Sequence, residues 1–197
     1  DVRYVHFLCT DGYVMALPID QLSNALLAFE LNGHPLTPEH GFPARIIVPG
    51  LYGYKMPKWL QKIELSTFPL TGFWEGPGWS ADGVVQTTSA IFSPQQGESV
   101  FGNLTIAGIA FAGARTITRV EVSISGSAWM PTRLSASIAN CWTSWQIEWM
   151  PPAPGEYQIR VRATDSSGFT QHEYAALKPF PNGSSGIHSV VVRVAGL

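Results

Sequence analysis

Charge is scarce in this chain. Only 13% of its 197 residues are Asp, Glu, Lys or Arg, about half the ~25% usual for soluble domains. Twelve Lys and Arg stand against fourteen Asp and Glu, for a formal net charge of −2. That balance gives no electrostatic reason to expect nucleic acid, which is bound first through its phosphates. Cysteine is scarcer still, with only Cys9 and Cys141. Two thiols without Cys-x-x-Cys spacing exclude a disulfide scaffold, and both are expected as buried thiols in apolar strands. No apolar run approaches the ~20 residues of a membrane-spanning helix. No secretory leader pattern is present, and the chain opens without Met directly on a strand pattern, Val2-Arg3-Tyr4-Val5-His6-Phe7. Such an opening is expected of a segment taken from within a longer protein.

What the chain has instead is hydrophobic residues (45%), aromatics (12%, with 7 Trp), 19 Gly and 15 Pro. This composition excludes a disordered chain, a coiled coil and a helical bundle. It predicts many short strands joined by Gly and Pro turns.

Two segments differ in pattern. Residues 1–80 are irregular. Strands are predicted at 2–8, 15–19, 26–31, 46–48 and 59–65, with a single helical turn at 20–25 and dense Gly and Pro from 34 to 58. Residues 66–85 break regular structure repeatedly yet carry Phe73, Trp74 and Trp79. A connector that rich in aromatics is expected to pack on a domain surface or to wall a site. From about 86 onward seven strands are predicted, at 87–92, 102–112, 117–123, 129–133, 143–149, 155–164 and 189–195. Val120, Val122 and Ile124 alternate with Glu121 and Ser123, and Tyr157, Ile159, Val161 and Ala163 alternate with polar residues. Regular strands of this kind predict an immunoglobulin-like β-sandwich, with Trp142, Trp145 and Trp149 as a candidate aromatic core. The fold class is therefore mainly β, in two parts, 1–80 and 81–197.

One cluster of chemistry stands out in the first part. His40, Arg45, Lys55 and Lys58 fall within nineteen residues of a chain poor in cations. Gly41, Gly50 and Gly53 lie among them and let backbone amides approach a ligand. Imidazole, guanidinium and ammonium together suit a phosphate or another anion. The alternative is a set of unconnected surface cations on loops.

The same stretch resembles a known family. Leu26-Leu27-Ala28-Phe29-Glu30-Leu31-Asn32-Gly33 leads into His40-Gly41-Phe42-Pro43-Ala44-Arg45. Then come Val48-Pro49-Gly50-Leu51-Tyr52-Gly53-Tyr54-Lys55 and Lys58-Trp59-Leu60. This order resembles the molybdopterin-binding domain of the sulfite oxidase family. Thr105 to Gly113, the Ile117 to Ser123 strand and Arg162-Ala163-Thr164-Asp165-Ser166-Ser167-Gly168 to Gln171 resemble its dimerisation domain, an immunoglobulin-like sandwich. The resemblance implies Mo-molybdopterin as cofactor of the intact protein. It assigns pterin and phosphate contacts to His40, Arg45 and Lys58, backbone approach to Met56 and Pro57, a contribution to the local field to Lys55, and a pterin-contacting acid to Asp11. A small-molecule substrate, an electron acceptor and a homodimer through the second part follow as expected partners.

The departures from the family pattern carry expectations too. The family's molybdenum-ligating cysteine lies in a half of the domain that has no counterpart here, and Cys9 fits no ligand motif. This chain alone is therefore expected to be inactive, and the alternative reading is a non-catalytic dimerisation or interaction module. Gly76-Pro77 and Trp79 stand where sulfite oxidases carry basic residues and a Tyr near the substrate, which argues against sulfite. The segment from Lys178 to His188 resembles bacterial, membrane-associated members and implies an extracytoplasmic or membrane-associated location. His188 itself is expected to be a hydrogen-bonded structural residue.

Overall fold

A computed structural model describes residues 1–173 and 179–196. It divides the chain into two compact units, Asp1–Val85 and Gln86–Leu197. Lys178 lies outside the described residues. No α-helix forms among those described; short 3-10 turns and strands make up the regular structure.

The first unit contains β1 (Tyr4–Cys9), β2 (Val14–Pro18), β3 (Leu26–Ala28), β4 (Glu30–Leu31), β5 (His34–Pro35), β6 (Arg45–Ile47) and β7 (Leu60–Ser66). Its main sheet is antiparallel, in the order β2-β1-β7. The Asp11-Gly12 turn closes the β1–β2 hairpin, with Gly12 at φ +85°. Two smaller ribbons, β3 with β6 and β4 with β5, complete the unit. Val5, Phe7, Met15, Leu17, Ile46 and Val48 form its core, each contributing ~1.5–3 kcal/mol by leaving water. The strand predicted over 26–31 breaks at Phe29, and its two halves join different ribbons. The predicted helical turn is present as a 3-10 turn at Ile19–Leu22.

The second unit contains β8 (Thr88–Ser93), β9 (Ser99–Val100), β10 (Leu104–Phe111), β11 (Ile117–Ile124), β12 (Met130–Pro131), β13 (Arg133–Leu134), β14 (Thr143–Trp149), β15 (Gly155–Asp165) and β16 (His188–Val194). One sheet runs β13-β14-β10-β8 and the other β12-β11-β15-β16-β9. Side chains from both sheets make one core, including Ile91, Ile106, Val120, Val122, Trp145, Ile159, Val161 and Val192. This is the sandwich that the alternating runs predict, since a period of two sends every second residue inward.

Three expectations are corrected here. The single strand predicted at 129–133 is two short strands, β12 pairing with β11 and β13 with β14. The chain changes sheets between them, at Thr132, whose amide donates to Val120 O at 3.0 Å. Of the three tryptophans, only Trp145 is fully buried. Trp142 is exposed and lies against Phe111 with ring centroids 4.8 Å apart, while Trp149 packs edge-on against Tyr157. Trp145 can cross the sheet because residue 108 is glycine. A Cβ there would lie 2.6 Å from the indole Cζ2 and 1.9 Å from Ala90 O. Cys141 is also exposed, in the loop before β14, rather than buried as Cys9 is.

Polar residues tie the two sheets together. Asp165, at the end of β15, accepts hydrogen bonds from Thr87 Oγ1 at 2.5 Å and from Ser167. Burial pushes its carboxyl up, but the Ser167 and Thr87 bonds and the Arg115 charge outweigh that and hold it below its ordinary value. His188 Nδ1 accepts the Ile91 amide at 3.1 Å. The ring is therefore hydrogen-bonded, and burial lowers its pKa below 6.5.

An imidazolium cannot accept that amide, so the folded state favours neutral His188 while the unfolded chain binds the proton more readily. Stability is expected to fall as pH drops through the ordinary histidine range. Asp165 adds its own loss only further down, as pH falls through the carboxylate range. Urea unfolding between pH 7.5 and 5 tests this. His188→Asn retains an acceptor without the titration and should flatten that part of the profile; an unchanged slope would refute the assignment.

Candidate functional site

The cationic cluster of the first unit is built from two short loops held against each other. The first follows the 3-10 turn Pro38–His40 and leads into β6. The second runs from the 3-10 turn Gly53–Lys55 to the start of β7. Backbone hydrogen bonds join them: Ile46 N to Pro57 O at 3.0 Å, Trp59 N to Gly41 O at 3.3 Å and Leu60 N to Ala44 O at 2.9 Å. Gly41 has φ +104°, and a Cβ there would lie 2.9 Å from Lys58 Cβ and 3.2 Å from its Cα. Glycine is thus required twice over, by conformation and by space. Trp59 adopts φ +52° without being glycine. Its strained conformation, which costs roughly 1–2 kcal/mol, is fixed by the indole N–H bond to Pro38 O at 2.7 Å.

This packing brings three of the expected residues to one turn. Arg45 Nη1 donates to His40 O at 3.2 Å, and Lys58 Nζ donates to Glu39 O at 2.7 Å. Both cations therefore sit on carbonyls of adjacent residues, beside the exposed His40. Arg45 Nε is buried and has no hydrogen-bond partner. An unpaired buried donor on a guanidinium is costly, and a ligand oxygen would satisfy it.

Asp11, Met56, Pro57 and Lys58 line one depression of about 180 Å3, together with Tyr13, Tyr54, Trp59 and Trp74. Asp11 also accepts the Tyr13 amide at 3.0 Å, which fixes the hairpin tip there. Lys55 is placed differently. It is 1% exposed and forms an ion pair with Glu75. Its ammonium lies 5.7 Å from the Tyr54 ring centroid.

Two tyrosines join the site that residue type alone did not single out. Tyr13 O–H donates to Tyr54 O at 2.5 Å, and Tyr54 O–H donates to Ser80 O at 2.7 Å. Burial, with the Glu75 charge next, raises the pKa of both phenols, so both stay protonated as donors. The position of Tyr13, directly after the Asp11-Gly12 turn, was the available signal. Cys9 is buried in β1, and burial with the Asp11 charge pushes its thiol up to about 11. It is a protonated thiol at neutral pH. Among the described residues no group of three or more His, Cys, Asp or Glu could hold a metal ion.

Lys55→Met should destabilise the protein by about 3–5 kcal/mol, because it leaves the Glu75 carboxylate without its partner. Lys55→Met with Glu75→Leu should recover most of that loss. Urea denaturation of the three proteins checks it; a single variant as stable as the parent would contradict the structural weight given to the pair.

Comparison with known proteins places these loops in context. The family model described as the oxidoreductase molybdopterin-binding domain matches residues 1–74, and that of the Mo-co oxidoreductase dimerisation domain matches residues 81–180. Mitochondrial sulfite oxidase of Mus musculus is 32% identical over 188 residues, covering 82% of this chain and 34% of that protein. An uncharacterized oxidoreductase of Bacillus subtilis, YuiH, is 43% identical over 85 residues, covering 42% of this chain and 43% of its own length. The chain thus spans about a third of the length of the sulfite oxidases it matches. The crystal structure of the sulfane dehydrogenase SoxCD from Paracoccus pantotrophus superposes on the whole chain with a TM-score of 0.78, at 24% identity and over 58% of that chain, which shows a shared fold. With one domain matched over residues 1–74 and the other over 81–180, the chain belongs to the sulfite oxidase family of molybdopterin oxidoreductases.

Proposed function

We propose that this chain supplies part of the binding site for a molybdopterin cofactor, and that its second unit serves homodimerisation. The observation that carries the first point is the turn at residues 38–41, where the Arg45 and Lys58 side chains bond to adjacent carbonyls. The buried unpaired Nε of Arg45 and the close approach at Gly41 fit a phosphate-bearing ligand. In this reading Arg45 and Lys58 neutralise the phosphate and His40 adds a directional hydrogen bond. Met56 and Pro57 offer backbone to the pterin, and Asp11 accepts from its amino groups. Lys55 acts at one remove: its bond to Glu75 holds the loop in place. When bound, such a cofactor supplies two-electron redox chemistry, and the protein contributes position and electrostatics.

The metal itself needs a ligand from elsewhere in a longer protein. Cys9 is a protonated, buried thiol, and metal binding needs the thiolate. The chain on its own should therefore not turn over sulfite with an electron acceptor, and measurable turnover would refute this. The substrate and acceptor belong to the intact oxidoreductase. An extracytoplasmic or membrane-associated location remains part of the proposal.

Pterin and molybdenum content of the longest natural form tests the cradle. Arg45→Ala and Lys58→Ala should each lower both by about tenfold, the effect of losing one charged hydrogen bond to phosphate. Full cofactor content in both variants would overturn the assignment.

The dimerisation reading rests on the second unit. Phe92, Ile138 and Trp142 are exposed there, and Phe92 borders a hollow of about 590 Å3 lined by Ile109 and Leu134 as well as by the polar Arg133, Ser135 and Gln146. The match of residues 81–180 to the dimerisation domain supports a second copy of the chain as the partner. Light scattering should give twice the 21.5 kDa chain mass, and Phe92→Glu with Trp142→Glu should return the monomer. A monomeric parent at micromolar concentration would refute it.

A further inference from the structure

The apolar core of the first unit reaches only the start of β7, at Leu60. In the sheet order β2-β1-β7, β7 is an edge strand. Residues directly opposite each other in an antiparallel pair share a face. The register therefore makes two rows on the core face, Leu17-Val5-Leu65 and Met15-Phe7-Ile63. The first two members of each row are buried, between 0% and 5% exposed, whereas Leu65 is 67% and Ile63 46% exposed. Alternation has aimed both side chains at a core, and the described residues leave them open to solvent.

The strand is also open along its side. β7 is seven residues long and contains no Pro, and its edge away from β1 pairs with no strand among the described residues. Such an edge is a template for a further strand. Its charges, Lys62 and Glu64, fall on the other face by alternation and pair with each other, so they do not screen the apolar side. Exposed apolar surface continues past Ser66, where Val2, Leu65 and Phe68 help to line a hollow of about 390 Å3.

We propose that β7 is an interface inside a longer protein: an extended segment from outside residues 1–197 pairs with its open edge, and apolar side chains carried with that segment cover Ile63 and Leu65. The inference stands on the sheet register and does not depend on the cofactor reading. The chain spans about a third of the length of the sulfite oxidases it matches, which leaves most of such a polypeptide to supply the segment.

A second copy of the chain would not serve. Two copies of β7 paired edge to edge in antiparallel are related by a two-fold axis normal to the sheet. That axis keeps both apolar sides on the same face, so four open side chains would replace two. What the face lacks is a layer above it, and only a different segment brings one.

Hydrogen exchange in the 197-residue chain and in the longest natural form tests this. In the chain, the β7 amides that point away from β1 should exchange within about tenfold of an unstructured peptide; in the longest form they should slow by about a hundredfold or more. Leu65→Cys gives a second readout, in a Cys141→Ser background that removes the other exposed thiol. Its reaction with a maleimide should be about tenfold or more faster in the chain than in the longest form. Equal exchange in the two forms would overturn the proposal, and so would equal labelling. Protection already present in the chain would overturn it too. Protection that grows with the chain's concentration would give the edge to a second copy and likewise overturn it. Slowed exchange in the longest form, with full pterin in Arg45→Ala and Lys58→Ala, would sink the cofactor reading and leave this interface standing.

Discussion

The arrangement of the first unit depends on one buried ion pair. Lys55 has its ammonium and almost its whole stem out of water, which is tolerable only with a carboxylate in contact. That carboxylate comes from Glu75, twenty residues along the chain in a segment that forms no strand. The pair acts beside backbone bonds that also hold the connector, Phe73 N to Val14 O at 3.1 Å and Val85 N to Gly50 O at 3.0 Å. Because Trp74 is next to Glu75 and Trp79 is four residues on, the same anchor sets both indoles. On the other side it fixes the 3-10 turn from which Met56, Pro57 and Lys58 extend. The ion pair, with the Tyr54–Ser80 and Tyr52–Gly83 hydrogen bonds, thus holds the cationic loop and the aromatic connector in one frame.

Scarcity of charge gives the remaining cations their weight. Of the four basic residues clustered between 40 and 58, Lys55 is committed internally, and its field is cancelled by Glu75. Arg45 and Lys58 each rest on a backbone carbonyl, a partner that orients a cation without neutralising it. Arg45 and Lys58 outnumber the one carboxylate of the 38–41 turn, Glu39, so the local charge there stays positive. In a protein with many surface lysines such a local excess would be blurred. Here it survives, and it marks the 38–41 turn as the place suited to phosphate.

Much of the fold was legible because alternation leaves a direct trace in sequence. Val120, Val122, Ile124 and the odd-numbered residues from Tyr157 to Ala163 face inward as their spacing requires. The loop pair was legible for another reason: its glycines and cations are ordered in a long, specific pattern. Contacts without period left no such trace. Glu75 could not be matched to Lys55 in advance, since nothing in a Gly and Pro connector says which residue turns inward. The two-residue strands β9 and β5 are too short to show alternation, and the switch of sheets at Thr132 is decided by tertiary pairing. Trp142 and Cys141 were expected inside because their residue types favour burial. They sit in a loop before β14, where the strand rule does not apply.

Cofactor binding and association are proposed for different units, and the residues proposed for each do not overlap. His40, Arg45 and Lys58 belong to residues 1–85, whereas Phe92, Ile138 and Trp142 belong to the sandwich. Substitutions in separate cooperative networks are expected to act independently. The two roles are therefore not rivals in the sense that the loss of one implies the other. A chain that dimerises but holds no pterin would still need an explanation for the unpaired Arg45 Nε and the strained Trp59. Both are costs to stability, and both lie in the first unit, where the loops of the proposed cradle meet.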